Sequence, residues 1–328
     1  MNAQVIPETS SAARRTWWNR TPELGALLVV LVVLVAVFSW RSPFLLNGDN
    51  LLNILTTLAV TGIIAVPGTM LLVAGQFDLS VGSGAAFGGI VAALAGTGHG
   101  LAAGVAAALA AGLAIGLLNG LLVTVVGINA LITTLATLAV FRGAAQLLGD
   151  GQTVLLNGFD ALGTVRPFLN VPLPVLILLA VFLLAALAMR YTVFGRSLYA
   201  IGANPAAARL VGIRARLLLV AAFALSGLSF ALAGLILTSQ LSAASPTAAS
   251  GLELSVVTAI VLGGASLSGG RGGIAGTAVG LVIIGVLNNG LILMNVTSFW
   301  QDVARGTLLI LAVSFDRLRQ RLTPADSR

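Results

Sequence analysis

Five ionisable side chains sit inside or at the edge of long apolar runs: Asp78, Arg142, Glu253, Asp302 and Arg305. A lone charge in hydrocarbon is costly, so such groups pair or face water-filled space, and they commonly mark the passage of an ion or solute. Asp302 and Arg305 are three residues apart and can pair on one helix face. Arg142 lies deeper and needs a partner on another helix, or must reach the interface along its own stem. Ser80, Asn119, Gln240, Ser255 and Asn288, with Gln76 and Asn289, add neutral hydrogen-bonding groups in apolar surroundings. Such groups can glue helices together. They can equally line a path for a neutral, hydroxyl-rich solute, and Asp78, Ser80, Asn119, Gln240, Glu253, Ser255 and Asn288 are the candidates for that role.

Several chemistries lack their residues. A phosphate-binding P-loop needs a lysine, and all 17 basic residues here are arginine. The glycine-rich run 269–273 joins two apolar spans and lacks the strand–turn–helix setting of a dinucleotide site, so it reads as a tight turn. His99 is the single histidine, too few for a usual zinc site. Neither G-x-S-x-G nor H-E-x-x-H occurs. Cysteine is absent, which removes disulfide and thiol chemistry. The net charge of +7 is carried by arginines flanking apolar spans rather than by a basic stripe interleaved with aromatics, so it does not point to nucleic acid.

The elements that must position the polar residues are membrane spans. Mean hydropathy is +1.05 and only 8% of residues are charged. Apolar runs of about 20 residues, the length that crosses a bilayer core, recur from end to end. Ten are read: 23–40, 51–73, 81–96, 101–126, 130–148, 172–189, 217–237, 252–267, 274–294 and 299–315. The third and eighth are short and rich in glycine and serine. The expected organisation is a cytoplasmic segment over 1–22, a transmembrane domain over 23–315, and a basic cytoplasmic tail over 316–328. Trp17 and Trp18 suit the membrane interface. With both termini inside, thirteen of the 17 arginines fall on the cytoplasmic side, as the positive-inside rule requires.

The two short spans open alike, with Asp78-Leu79-Ser80-Val81 and Glu253-Leu254-Ser255-Val256. The spans after them also echo each other, Ile115-Gly116-Leu117-Leu118-Asn119 against Ile284-Gly285-Val286-Leu287-Asn288. The chain therefore reads as an all-α polytopic membrane protein of about ten helices in two five-helix halves. Five is odd, so the halves are inverted, with short broken helices near a translocation path.

One long polar stretch interrupts this pattern, 190–216, with five arginines and no acid. Inside it, Asn204 suits a helix N-cap, Pro205 the first helical position, three alanines the body and Gly212 the C′ position. So short a helix needs support. It either lies on the protein's own spans or docks a cytoplasmic partner.

The segments Asp78–Ser83, Gly202–Ile213, Ser245–Thr247, Val261–Gly270 and Leu287–Gly290, in this order, resemble the permease subunits of bacterial ABC importers of the ribose or monosaccharide type. The resemblance covers nearly the whole chain. It implies that Asn204–Ile213 is a coupling helix, with Gly202, Asn204, Ala207, Ala208, Arg209 and Gly212 meeting a cytoplasmic ATPase. It also implies two permease subunits in a bacterial inner membrane, two ATPase subunits and an external solute-binding protein. ATP and magnesium would sit on the ATPase, with no cofactor on this chain. Gln76-Phe77 before Asp78, and Pro205 after Asn204, depart from the usual pattern. Other cargoes remain open: a furanose signalling molecule, another monosaccharide, a nucleoside or a branched-chain amino acid. So does an ion-coupled secondary carrier, whose intramembrane acids would be ion sites.

Overall fold

The computed structural model describes residues 21–322. Residues 1–20 of the expected N-terminal segment, with Trp17 and Trp18, and residues 323–328 of the tail lie outside the described residues. In chain order the elements are α1 (Thr21–Arg41), α2 (Gly48–Val73), α3 (Val81–His99), α4 (Leu101–Leu121, prolonged by a π turn Leu122–Val126) and α5 (Ala130–Leu148). There follow β1 (Val154–Leu155), α6 (Ala161–Thr164), α7 (Leu173–Tyr191), α8 (Val193–Ala203) and α9 (Pro205–Leu210). The chain closes with α10 (Ala215–Leu241), β2 (Ala243–Ala244), α11 (Leu252–Leu262), α12 (Ile274–Leu293) and α13 (Ser298–Leu322). Among the described residues, seven helices are long and apolar enough to cross a membrane: α2, α3, α4, α5, α7, α10 and α12.

Helix starts follow local chemistry. Asn47 and Asn129 accept backbone N–H bonds at the heads of α2 and α5, using the amide side chain in place of the missing helical carbonyl. Gly100, at φ +91°, makes the abrupt turn between α3 and α4.

The core is built around α10, which packs on α2, α3 and α4 and carries the fully buried Phe223 and Phe230. Small residues allow that closeness. At the α4–α10 crossing, Gly112 and Gly227 oppose each other, and a Cβ on either would strike the other's carbonyl. Without water to drive helices together in a bilayer, such backbone proximity is a main source of van der Waals attraction. A second group forms where α11 packs on α2, α12 and α13. Its neighbour α1 seats Phe38 against Gly290 of α12.

Three features differ from the sequence reading. The eighth span ends as a helix at Leu262, not 267, because Gly263 and Gly264 stop it and a glycine-rich turn follows. At about 1.5 Å per residue, the 11 residues of α11 are too short to cross a bilayer. Residues 149–170, which the sequence shows only as a gap between the fifth and sixth spans, hold a strand: β1 pairs antiparallel with β2, Val154 opposite Ala244. Gly163 of α6 also donates its N–H to Ser239 Oγ of α10 at 2.8 Å. Finally, the 190–216 stretch holds two helices rather than one, α8 and α9.

Candidate functional site

The seven path candidates separate into three places. The first is a buried polar knot in the link between α2 and α3. Asp78 Oδ1 accepts from Ser80 N at 3.0 Å and from Ser80 Oγ at 2.6 Å. Its Oδ2 accepts from Ser226 Oγ of α10 at 2.6 Å. Asn119 Nδ2 of α4 donates to Ser80 Oγ at 2.9 Å. Ser80, Asn119 and Ser226 are wholly buried. The carboxylate thus spends its acceptors on three donors and joins three elements, which is what a buried polar group needs to be tolerated. Asn119 Oδ1 remains buried without a partner.

The second place is the first turn of α11. Glu253 Oε1 accepts from Gly251 N at 3.3 Å, and Oε2 is buried and unpartnered. Gly82, in the first turn of α3, lies directly against Oε2, and only a residue without a side chain leaves room. The first turns of α3 and α11 therefore meet at Glu253. Arg142 of α5 does not reach an acid. It donates two bonds to carbonyls of the connection before α11, Pro246 O at 2.9 Å and Ala248 O at 2.8 Å. It clamps a segment in which Ser242, Ala249 and Gly251 all have positive φ.

The third place is a cavity of about 590 Å³ between α2, α10, α11, α12 and α13, floored in part by α6. Gln240, Ser255 and Asn288 line it, and so do Asn53, Thr56, Thr57, Thr61 and Asn289. Its size suits a small solute. Among the described residues, Arg305 is its one charged lining residue and no carboxylate lines it. Sequence reading missed the threonines of α2, because hydroxyls at helical spacing in an apolar run also occur as backbone-bonded core residues. Thr69 shows that other use: it bonds Ala65 O and shares a 2.8 Å bond with Thr277 of α12. Ser226 was missed for a like reason, being one serine on a long apolar helix.

The coupling candidates lie on α8 and α9. Asn204 Oδ1 accepts from Ala206 N and Ala207 N at 3.1 and 3.0 Å. At the other end, Gly212 has φ +81°, with Ile213 N bonding Ala208 O and Gly212 N bonding Arg209 O. These paired bonds form a Schellman closure, which needs the left-handed conformation that glycine adopts without strain. Asn204, Ala207, Arg209 and Gly212 are exposed. Ala208 is buried. Gly202 faces inward: a Cβ there would strike Val73 O at the end of α2 and Gly270 N, which themselves hydrogen-bond at 2.8 Å. Tyr199 of α8 adds a bond from its hydroxyl to Gly272 O at 2.9 Å. The short helix is thus held by the protein's own spans through α8 while showing Leu210 and Val211, 89% and 76% exposed, at its tip. Those two apolar residues were not singled out by sequence, because their exposure depends on which side of α9 the Schellman turn leaves open.

Among the described residues, no group of three or more His, Asp or Glu side chains is placed to hold a metal ion.

Comparison with known proteins identifies a family and several relatives. Residues 50–313 match the family described as branched-chain amino acid transport system / permease component. The ribose import permease protein RbsC of Bacillus subtilis is 42% identical, over 90% of this chain and 92% of its own length. RbsC of Escherichia coli K12 is 41% identical over 89% and 93%. The L-arabinose transport system permease protein AraH of the same strain is 37% identical over 96% and 95%. No solved structure matches the chain.

Proposed function

We infer the function from one premise: the chain belongs to the branched-chain amino acid transport permease family, with sugar-permease relatives that match it nearly end to end. It is a multi-pass permease subunit of an ABC importer for a small, ribose-like sugar. The observation that carries the solute class is the cavity, whose lining among the described residues is rich in hydroxyls and amides and holds no carboxylate. Such a wall exchanges hydrogen bonds with a polyol and offers a cation no counter-charge.

In the finer reading, the protein has ten membrane segments in two inverted halves, α1–α5 and α7–α13, with α11 crossing only together with the glycine-rich turn that follows it. The packing supports an exchange of α2 with α10, α3 with α11, α4 with α12 and α5 with α13. As α3 and α4 pack on α10, so α11 and α12 pack on α2; as α5 packs on α3, so α13 packs on α11. The repeated glycines follow the same exchange, Gly116 facing Phe223 of α10 and Gly285 facing Leu58 of α2. The first helix of each half breaks the pattern, α1 lying on α12 and α7 on α2.

The orientation that keeps both termini in the cytoplasm of a bacterium places α9 inside and the β1–β2 ladder outside. The cavity then faces outward to receive sugar from a binding protein. Leu210 and Val211 dock in a cytoplasmic ATPase, which holds ATP and magnesium. A second permease chain completes the importer. Alternating access follows if ATPase closure moves α9, with α8 transmitting the displacement through Gly202 to the end of α2, a wall of the cavity.

Gentle solubilisation of the tagged chain from its native membrane tests this. An ATPase subunit and a sugar-binding protein should co-purify, and proteoliposomes of the complex should take up sugar only with ATP. Uptake by this chain alone, without ATP, would replace the importer with an ion-coupled carrier.

A further inference from the structure

The cavity wall formed by α12 and α13 contains two amides in unequal states. Asn289 is closed on itself: it exchanges reciprocal bonds with Asn50 of α2, at 2.9 and 3.0 Å. Asn288 is not. Its Oδ1 accepts from Arg305 Nε of α13 at 3.3 Å, and its Nδ2 donates to no protein group among the described residues. Both Asn288 and Arg305 line the cavity.

A free asparagine beside a solute can present either its oxygen or its nitrogen. Arginine has donors and no acceptor, so it removes that choice. With the guanidinium beside it, the amide must turn its oxygen to Arg305 and leave its nitrogen to the cavity. Arg305 is itself anchored, since Asp302, one turn back on α13, pairs with its NH1 at 3.1 Å. Its side chain is 25% exposed while that of Asp302 is 70% exposed, so the guanidinium is the more enclosed member of the pair.

We propose that Arg305 is a specificity-determining positioning residue: it fixes Asn288 as a hydrogen-bond donor and makes the α12–α13 wall select solutes by their acceptor oxygens. This rests on the transport reading above and adds which atom discriminates. Asn288 Nδ2 contacts a hydroxyl or ring oxygen of the sugar, and Arg305 acts through it.

Two measurements test the assignment. In proteoliposomes of the complete importer, with binding protein saturating, uptake of a pentose is compared with that of a deoxy analogue the binding protein delivers equally well. The wild type should prefer the parent sugar, and R305M should lower that preference by about fivefold, the worth of one hydrogen bond. R305K, which restores a pure donor, should recover most of it. Parallel loss of both uptakes in R305M, with the ratio unchanged, would show a merely structural role and overturn the proposal.

The second measurement needs no transport. The chain has no cysteine, so N288C is a single-thiol protein. An anionic thiosulfonate reagent should modify it faster than a cationic one, and adding R305M should abolish the difference. Equal rates with Arg305 present would overturn the proposal, even if sugar transport were confirmed. The expected bias would stand even if the cargo proved not to be a sugar.

Discussion

Ser226 Oγ donates to Asp78 Oδ2 at 2.6 Å, tying the break between α2 and α3 to the middle of α10. Asp78→Ala removes the acceptor for Ser226 Oγ, Ser80 Oγ and Ser80 N together. Buried hydroxyls left without partners cost about 2–4 kcal/mol in sum. The expected result is a lower thermal midpoint of the detergent-solubilised protein, with Ser226→Ala intermediate. An unchanged midpoint for Asp78→Ala would mean that the knot contributes nothing to stability.

Gly212→Val and Gly202→Val should fail in different ways. At Gly212, φ is +81° and a Cβ meets open space, so valine strains only the helix end, by about 1–2 kcal/mol. The protein should insert and stay monodisperse, while sugar-stimulated ATPase activity falls. At Gly202 the added side chain collides with the backbone of Val73, and yield itself should drop. Size-exclusion profiles set beside ATPase rates separate the two.

Leu210→Asp places a charge on a residue 89% exposed in the isolated chain. Its cost to the fold is within a few tenths of a kcal/mol, as for ordinary surface changes. Co-purification of the ATPase should nevertheless be lost. Retained binding would remove α9 from the docking surface.

Arg142→Met frees the carbonyls of Pro246 and Ala248. The connection before α11 should then exchange its amide hydrogens faster over 242–251, with the α10 core unchanged. Arg142→Lys, able to donate but not to fork, should be intermediate.

The matched glycines should tolerate alanine unequally. Gly116 faces the backbone carbonyl of Phe223, whereas Gly285 faces the side chain of Leu58, which can rotate. Overpacking costs about 1–3 kcal/mol, and Gly116→Ala should show the larger part of that range. Thermal midpoints of the two variants give the comparison.

Much of the fold was legible because lipid imposes a length and a composition on each span. The limits 101–126 and 130–148 coincide with α4, including its π turn, and with α5. The caps of α9 were legible for a similar reason, since Asn204, Pro205 and Gly212 act through local backbone geometry. What sequence could not give was pairing. The echo of Asp78 and Glu253 was visible, yet one carboxylate is fully hydrogen-bonded and the other has a bare oxygen. That difference comes in part from Ser226, 148 residues further along the chain, whose hydroxyl donates to Asp78 Oδ2. The separation of Asp78, Ser80 and Asn119 from the cavity residues Gln240, Ser255 and Asn288 likewise depends on which helix faces turn together. The β1–β2 ladder spans two residues on each side, too few for a strand period to show.

The shortness of α11 also bears on how the protein is made. A helix of 11 residues cannot hold itself across about 30 Å of hydrocarbon. During synthesis it has no stable position of its own and must be carried in by its neighbours. Its resting place is defined by α2, α3, α12 and α13, the last two of which are synthesised after it. The expectation is that α11 settles into this place only once α13 has emerged. Chains truncated before α13 should present α11 to quality-control proteases however well their earlier spans are inserted.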